Sequence, residues 1–226
     1  MKRSKRYLKA AELVDENKTY SLDEAIGILK SMPPAKFDET IEISAKLGVD
    51  AKQSDQIVRG SVVLPSGTGK DVKVLVFCEP EKEKEAKEAG ADYIGSQEMI
   101  DKILKDGWTD FDCCISTPSQ MRLVSKLGRF LGPRGLMPSP KTGTVIENVS
   151  YAITQAKGGK IDFRMDKLSC IHLGVGKVSF AKEDLIKNVE AFIEALNASK
   201  PQSLKGDFIE SFFLSTTISP SVKIAM

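Results

Sequence analysis

Apolar residues recur along this chain with two different periods. Phe37, Glu39, Ile41, Ile43, Ala45, Leu47 and Val49 alternate with Asp38, Thr40, Glu42, Ser44 and Lys46. A period of two sends successive side chains to opposite faces, so 37–49 predicts a strand with one buried face. Residues 56–64 read as its partner strand. Upstream, 4–16 predicts a helix with Leu8, Ala11 and Leu13 on one side. Ser21 followed three residues later by Glu24 is a capping-box start. Ala25, Ile26 and Leu29 continue at helical spacing until Pro33-Pro34 stops the run.

Beyond the punctuation cluster at 65–70 the pattern changes. Residues 72–78 form a short apolar run broken by one lysine, as in a buried parallel strand. A charged helix over 81–89 follows, then a minimal strand at Tyr93-Ile94. Next come a helix over 96–105 with Met99, Ile100, Ile103 and Leu104 on one face, a strand over 113–116 and a helix over 119–131. Strand and helix alternate, which predicts a three-layer α/β unit over 68–159, closed by Gly158-Gly159. The first pattern then returns. Strands over 160–165 and 170–178 are joined by a turn near Asp166-Lys167. Asp184, Ile186, Val189, Phe192, Ile193 and Leu196 mark a long helix, ended by Asn197 and Pro201. A strand over 208–218, Pro220 and a short 222–224 piece close the chain. The predicted organisation is one discontinuous α+β domain, 1–67 with 160–226, around an inserted α/β domain, 68–159.

Composition narrows the class. With 226 residues, 41% apolar and 28% charged, the chain has an ordinary globular make-up and enough length for a core without staples. That excludes collagenous and globally disordered chains. No apolar run is long enough to span a bilayer, so no membrane partner is expected. The opening residues carry no secretory apolar stretch, and Cys78, Cys113, Cys114 and Cys170 follow no disulfide or zinc spacing. The expected location is therefore the cytoplasm. The net charge is only +2, so any affinity for nucleic acid must come from local patches. Two acid-free windows supply them. Lys2, Arg3, Lys5, Arg6 and Lys9 precede the first acid, Glu12. Arg122, Lys126, Arg129, Arg134 and Lys141 lie between Asp112 and Glu147.

Catalytic constellations are hard to assemble. A phosphate loop needs a glycine five positions before its Gly-Lys, and a hydroxyl after the lysine. Around Gly69-Lys70 those places hold Leu64 and Asp71. His172, the single histidine, lies in a strand pattern without a nucleophile elbow and reads as a packed or edge residue. Trp108 reads as a plug in a surface turn, and Cys113-Cys114 point to opposite faces of one strand. No catalytic residue, metal site or cofactor is expected. The glycine-rich stretch 127–138 offers backbone amides and the guanidiniums of Arg129 and Arg134, which suit phosphate oxygens. The hydroxyl run Ser215-Thr216-Thr217-Ile218-Ser219 suits sugar hydroxyls and base edges of RNA.

Several segments, in order, resemble one family, that of the first protein of the large ribosomal subunit, in its bacterial type. They are 36–42 (Lys-Phe-Asp-Glu-Thr-Ile-Glu), 59–70, Leu127-Gly128 through Pro138, Gly159-Lys160 through Arg164, and Gly176 through Phe180. The resemblance implies a domain built from both chain ends with a Rossmann-like insert. It implies a structural protein that binds large-subunit ribosomal RNA in the mobile stalk beside the exit site. Such a protein assists release of deacylated transfer RNA and represses its own messenger RNA; it is a monomer when free. The implied RNA-binding set is Lys5, Lys36, Phe37, Thr40, Glu42, Arg164, Asp166, Lys167, Ser211, Thr217, Ile218 and Ser219. Gly67, Gly69, Gly158 and Gly159 form the implied hinge. The family's usual Thr-Met-Gly-Pro ending stands here as Thr217-Ile218-Ser219-Pro220, without the glycine's backbone freedom.

Two other classes compete. A nucleotide-binding enzyme built on the insert requires a glycine-rich turn after the insert's first strand, where Cys78-Glu79-Pro80-Glu81 stands instead. A protein–protein adaptor requires an excess of exposed apolar residues.

Overall fold

A computed structural model describes residues 3–15, 17–53, 55–95, 97–202, 204 and 206–225. Lys2, Ser96 and the side chain of Lys141, all used in the sequence reading, lie outside the described residues. The chain is of the mixed α/β class and forms two compact units, Met1–Gly69 with Ile161–Met226, and Lys70–Lys160.

The first unit is built on the period-two segment. Strand β1 (Thr40–Leu47) pairs antiparallel with β7 (Cys170–Lys177) on one side and β8 (Ile209–Thr216) on the other, and β9 (Val222–Lys223) extends the sheet in the order β7-β1-β8-β9. Ile41, Ile43, Ala45 and Leu47 point inward, joined by Ile171, Leu173, Phe212 and Leu214 from the neighbouring strands. Against this face pack helix α2 (Leu22–Ser31) and helix α8 (Lys182–Ala198). The expected capping box starts α2: the Ser21 hydroxyl accepts the Glu24 amide and the Glu24 carboxylate accepts the Ser21 amide. Phe192 of α8 is fully buried, its ring 5.5 Å from Phe163 and 6.5 Å from Phe212.

In this unit three expectations need correction. The segment over 56–64 is not the partner of β1. Its strand β2 (Arg59–Val63) pairs with β6 (Lys160–Arg164) in a separate two-stranded sheet, because both edges of β1 are already taken. For the same reason the turn at Asp166-Lys167 does not close a hairpin; it carries the chain from one sheet to the other. Helix α1 (Lys5–Ala11) is shorter than 4–16 and buries Ala10, while Leu8 and Leu13 stay exposed.

In the second unit a parallel sheet, β4-β3-β5, is formed by β3 (Val74–Phe77), β4 (Tyr93–Ile94) and β5 (Cys113–Ser116). Val74 and Val76 face α3 (Glu83–Glu88) and α7 (Val149–Lys157); Leu75 and Phe77 face α4 (Gln97–Asp106), α5 (Met121–Val124) and α6 (Gly128–Leu131). Layers on both faces explain why β3 reads as a continuous apolar run. The expected single helix over 119–131 is instead α5, a 3-10 turn over Ser125–Leu127, and α6. Cys113 and Cys114 do face opposite layers.

Candidate nucleic-acid interface

The same alternation that buries one face of β1 exposes the other. Rows across the sheet follow from the register. Glu42 lies between Gly174 and Ser215, Ser44 between His172 and Phe213, and Lys46 between Cys170 and Ser211. This face is a broad polar surface with the Phe213 ring and the His172 imidazole in its middle row.

The expected RNA-binding residues gather at its two ends and along it. At one end, Lys36 and Phe37 lie just before β1 and are exposed, Phe37 by 53%. Thr40 begins the strand, its amide donating to the Thr217 hydroxyl at 3.1 Å and its own hydroxyl accepting the Lys177 ammonium at 3.0 Å. Ile218 and Ser219 belong to the loop leaving β8. Lys5 is exposed on α1, next to Arg6, whose guanidinium reaches the Ile218 carbonyl at 2.9 Å. At the other end, Arg164, Asp166 and Lys167 line a shallow hollow of about 500 Å³ with Ile57 and Ala51. Asp166 builds this turn, its carboxylate accepting the amides of Leu168 and Cys170, each at 2.8 Å. Glu42 and Ser211 lie between the ends. Six residues of strand separate Thr40 from Lys46, roughly 20 Å at the usual rise, which is about six stacked nucleotides of one strand.

Sequence reasoning missed Glu39, Arg6 and Lys177. Glu39 falls in the apolar phase of the alternating run, and this is the signal that betrays it: a carboxylate there must be buried and paired. It is 6% exposed. One carboxylate oxygen accepts the Thr216 hydroxyl at 2.6 Å and the Ile218 amide at 3.1 Å, and the other accepts Arg6 at 2.9 Å. Burial opposes its charge, but hydrogen bonds from Thr216, Arg6 and Ile218 outweigh that and hold its pKa below the ordinary 4.5.

Ser219 stands where the resemblance implies a glycine. Among the described residues Ser169 alone of the non-glycines has a left-handed backbone, so Ser219 needs no such freedom. Its hydroxyl accepts the Thr216 amide at 2.8 Å, a bond glycine lacks. The four glycines of the expected hinge fall in two places. Gly67 and Gly69 have φ of +70°, and Gly159 has φ of +97°, while Gly158 ends α7 with an ordinary φ of −73°. The fully buried Asn188 accepts the Ser66 amide and donates to the Gly67 carbonyl, each at 3.0 Å.

His172 is an edge residue, exposed, its ring 3.1 Å from the Ser44 hydroxyl. Among the described residues no carboxylate hydrogen-bonds that ring, and the pair lies on an open face. Trp108 packs edge-on to Tyr93. Burial pushes the Cys78 and Cys114 thiols up, which disfavours the thiolate form. Arg122, Lys126, Arg129 and Arg134 are all exposed on the second unit. Among the described residues no group of three or more histidine, cysteine or carboxylate side chains comes together as a metal site.

The model of the Ribosomal protein L1p/L10e family matches residues 29–220. A relative from Persephonella marina, named large ribosomal subunit protein uL1, is 53% identical over 226 residues, covering 99% of this chain and 93% of its own. The protein of that name from Thermus thermophilus is 54% identical over 224 residues, covering 99% and 97%. That from Protochlamydia amoebophila is 52% identical over 221 residues, covering 98% and 93%. Identity at this level, sustained along a chain whose exposed sheet face carries the expected polar set, places the chain in the ribosomal protein L1p/L10e family.

Proposed function

We propose that this chain is a structural constituent of the large ribosomal subunit, not an enzyme, and that the exposed face of the β7-β1-β8 sheet binds a structured segment of large-subunit ribosomal RNA. The observation that carries this reading is the arrangement of charge and hydroxyls. A polar sheet face is bracketed by Lys5 and Lys36 at one end and by Arg164 and Lys167 at the other. Cations of this kind neutralise phosphates, while Thr40, Glu42, Ser211, Thr217 and the Ile218-Ser219 loop meet sugars and base edges. Phe37, half-exposed beside Lys36, offers a ring for stacking. The same face represses translation of the chain's own messenger RNA by taking a mimic of the ribosomal site. In the cytoplasmic ribosome the first unit anchors a mobile stalk whose second unit meets exit-site transfer RNA through Arg122, Lys126, Arg129 and Arg134. Gly67, Gly69, Gly158 and Gly159 let the stalk move as deacylated transfer RNA leaves.

The test is direct binding of the full chain to its ribosomal RNA segment and to a random RNA of equal length, over a range of salt. Specific binding that weakens with salt, retained on the cognate segment where random RNA has been stripped off, is the expected result. Equal affinity for both RNAs at every salt concentration sinks the reading.

A further inference from the structure

Three separate stretches of chain meet on one buried carboxylate. Arg6 comes from α1, Glu39 from the residue before β1, and Thr216 with Ile218 from the end of β8. Arg6 bridges further, donating to the Pro33 carbonyl at 3.0 Å and the Ile218 carbonyl at 2.9 Å. The backbone of Ile218 is therefore gripped on both polar groups, its amide by Glu39 and its carbonyl by Arg6. The side chains of Thr217 and Ile218 remain exposed, Ile218 by 45%.

We propose that Glu39, with Arg6, is a positioning residue for RNA recognition: it fixes the Thr216–Ser219 loop so that its exposed side chains meet RNA in one arrangement, and it holds the basic α1 beside that loop. The inference rests on the proposed RNA-binding role of this face. Only a carboxylate fits the site. Thr216 and Ile218 bring two donors to one oxygen, and Arg6 brings a third to the other. A glutamine of the same shape must aim its own amide hydrogens at one of these donors, so one side of the clasp opens. An unfixed loop samples many shapes, and RNA must then select one, which lowers affinity without touching a phosphate contact.

The experiment uses the full chain as wild type, Glu39→Gln, Arg6→Ala and Arg6→Lys. Amide hydrogen exchange at Ile218 is read alongside affinity for the ribosomal RNA segment and for random RNA at several salt concentrations. In Glu39→Gln, exchange at Ile218 should rise, and affinity for the ribosomal segment should fall by about tenfold or more, the worth of one charged hydrogen bond. Random-RNA affinity and the salt slope should not change. Arg6→Ala should lose part of this affinity, with a lower salt slope only if Arg6 itself meets a phosphate, and Arg6→Lys should recover some of it. Unchanged exchange overturns the clasp. Raised exchange with undiminished cognate affinity overturns its role in recognition. If Glu39→Gln does not fold, Arg6→Ala, at a partly exposed position, decides by the same two readouts. A wild type that does not discriminate between the RNAs defeats the RNA-binding role itself, whereas Ile218 exchange still reports on the clasp.

Discussion

The Thr217 hydroxyl is already engaged with the start of β1, accepting the Thr40 amide at 3.1 Å and donating to the Thr40 carbonyl at 3.5 Å. Thr217→Val therefore removes both partners of the Thr40 backbone, the acceptor of its amide and the long-range donor to its carbonyl, and with them the one hydroxyl that this exposed side chain can turn toward RNA. It should cost roughly 1–3 kcal/mol in binding to the ribosomal segment, little for random RNA, with an unaltered salt slope. Lys36→Ala should behave oppositely, weakening all RNAs alike and lowering the salt slope by about one. Equilibrium titrations of both variants at several salt concentrations separate the two outcomes. Glu39 makes a prediction about acid. Its folded pKa lies below 4.5, chiefly because hydrogen bonds from Thr216, Arg6 and Ile218 overcome its burial. The stabilisation due to that shift is complete above the unfolded value and is lost as pH falls through the lower folded one. The gap in urea stability between wild type and Glu39→Gln should be full at neutral pH and narrow only below the ordinary carboxylate range. A gap that is constant down to strong acid contradicts this.

Elements were legible where one local rule decides them. Ser21 and Glu24 announce α2 because both partners of the capping box lie within one turn. Ser21→Ala should cost about 1 kcal/mol of stability, read by chemical denaturation. The alternation over 37–49 exposes β1, and the unbroken run before Cys78 exposes β3, since burial on one face or two leaves different periods. Pairing left no such trace. Nothing in 56–64 distinguishes a strand that joins β1 from one that joins β6, because the choice depends on β7 and β8, more than a hundred residues away, occupying both edges of β1. The break at Ser125–Leu127 was equally hidden, since its residues continue the apolar spacing of a helix. Glu39 was visible in the alternation as a polar residue in an apolar row, but its partners Arg6 and Thr216 lie far from it in sequence. Phe192 joins the parts of this unit, touching Phe163 of β6 and Phe212 of β8. Phe192→Ala should cost about 3–5 kcal/mol, and the denaturation curve of the first unit should move while that of the second holds.

At the scale of the whole molecule, the two crossings between units carry glycines with unequal surroundings. A side chain at Gly67 meets nothing within 4 Å, whereas one at Gly69 collides with Lys177 and Phe180 at 2.9–3.0 Å. Asn188 ties the Ser66 amide and the Gly67 carbonyl to α8. Distances between single-molecule labels on the two units should spread beyond linker noise in the free protein and narrow when ribosomal RNA and transfer RNA are both bound. One narrow distance in free protein argues against a hinge. The order of strands in the first unit has a consequence in time. β1 is made early, but both of its hydrogen-bonded neighbours, β7 and β8, come from the last third of the chain. At ordinary elongation rates β1 waits roughly 10–30 s for β8 to be synthesised, while residues 70–160 are free to fold as soon as they emerge. A prematurely terminated product is then left with a folded insert and no finished sheet. On the proposed RNA-binding role of this sheet, such a product has no complete face to offer ribosomal RNA, so entry into the assembling particle would itself report that β8 had been made.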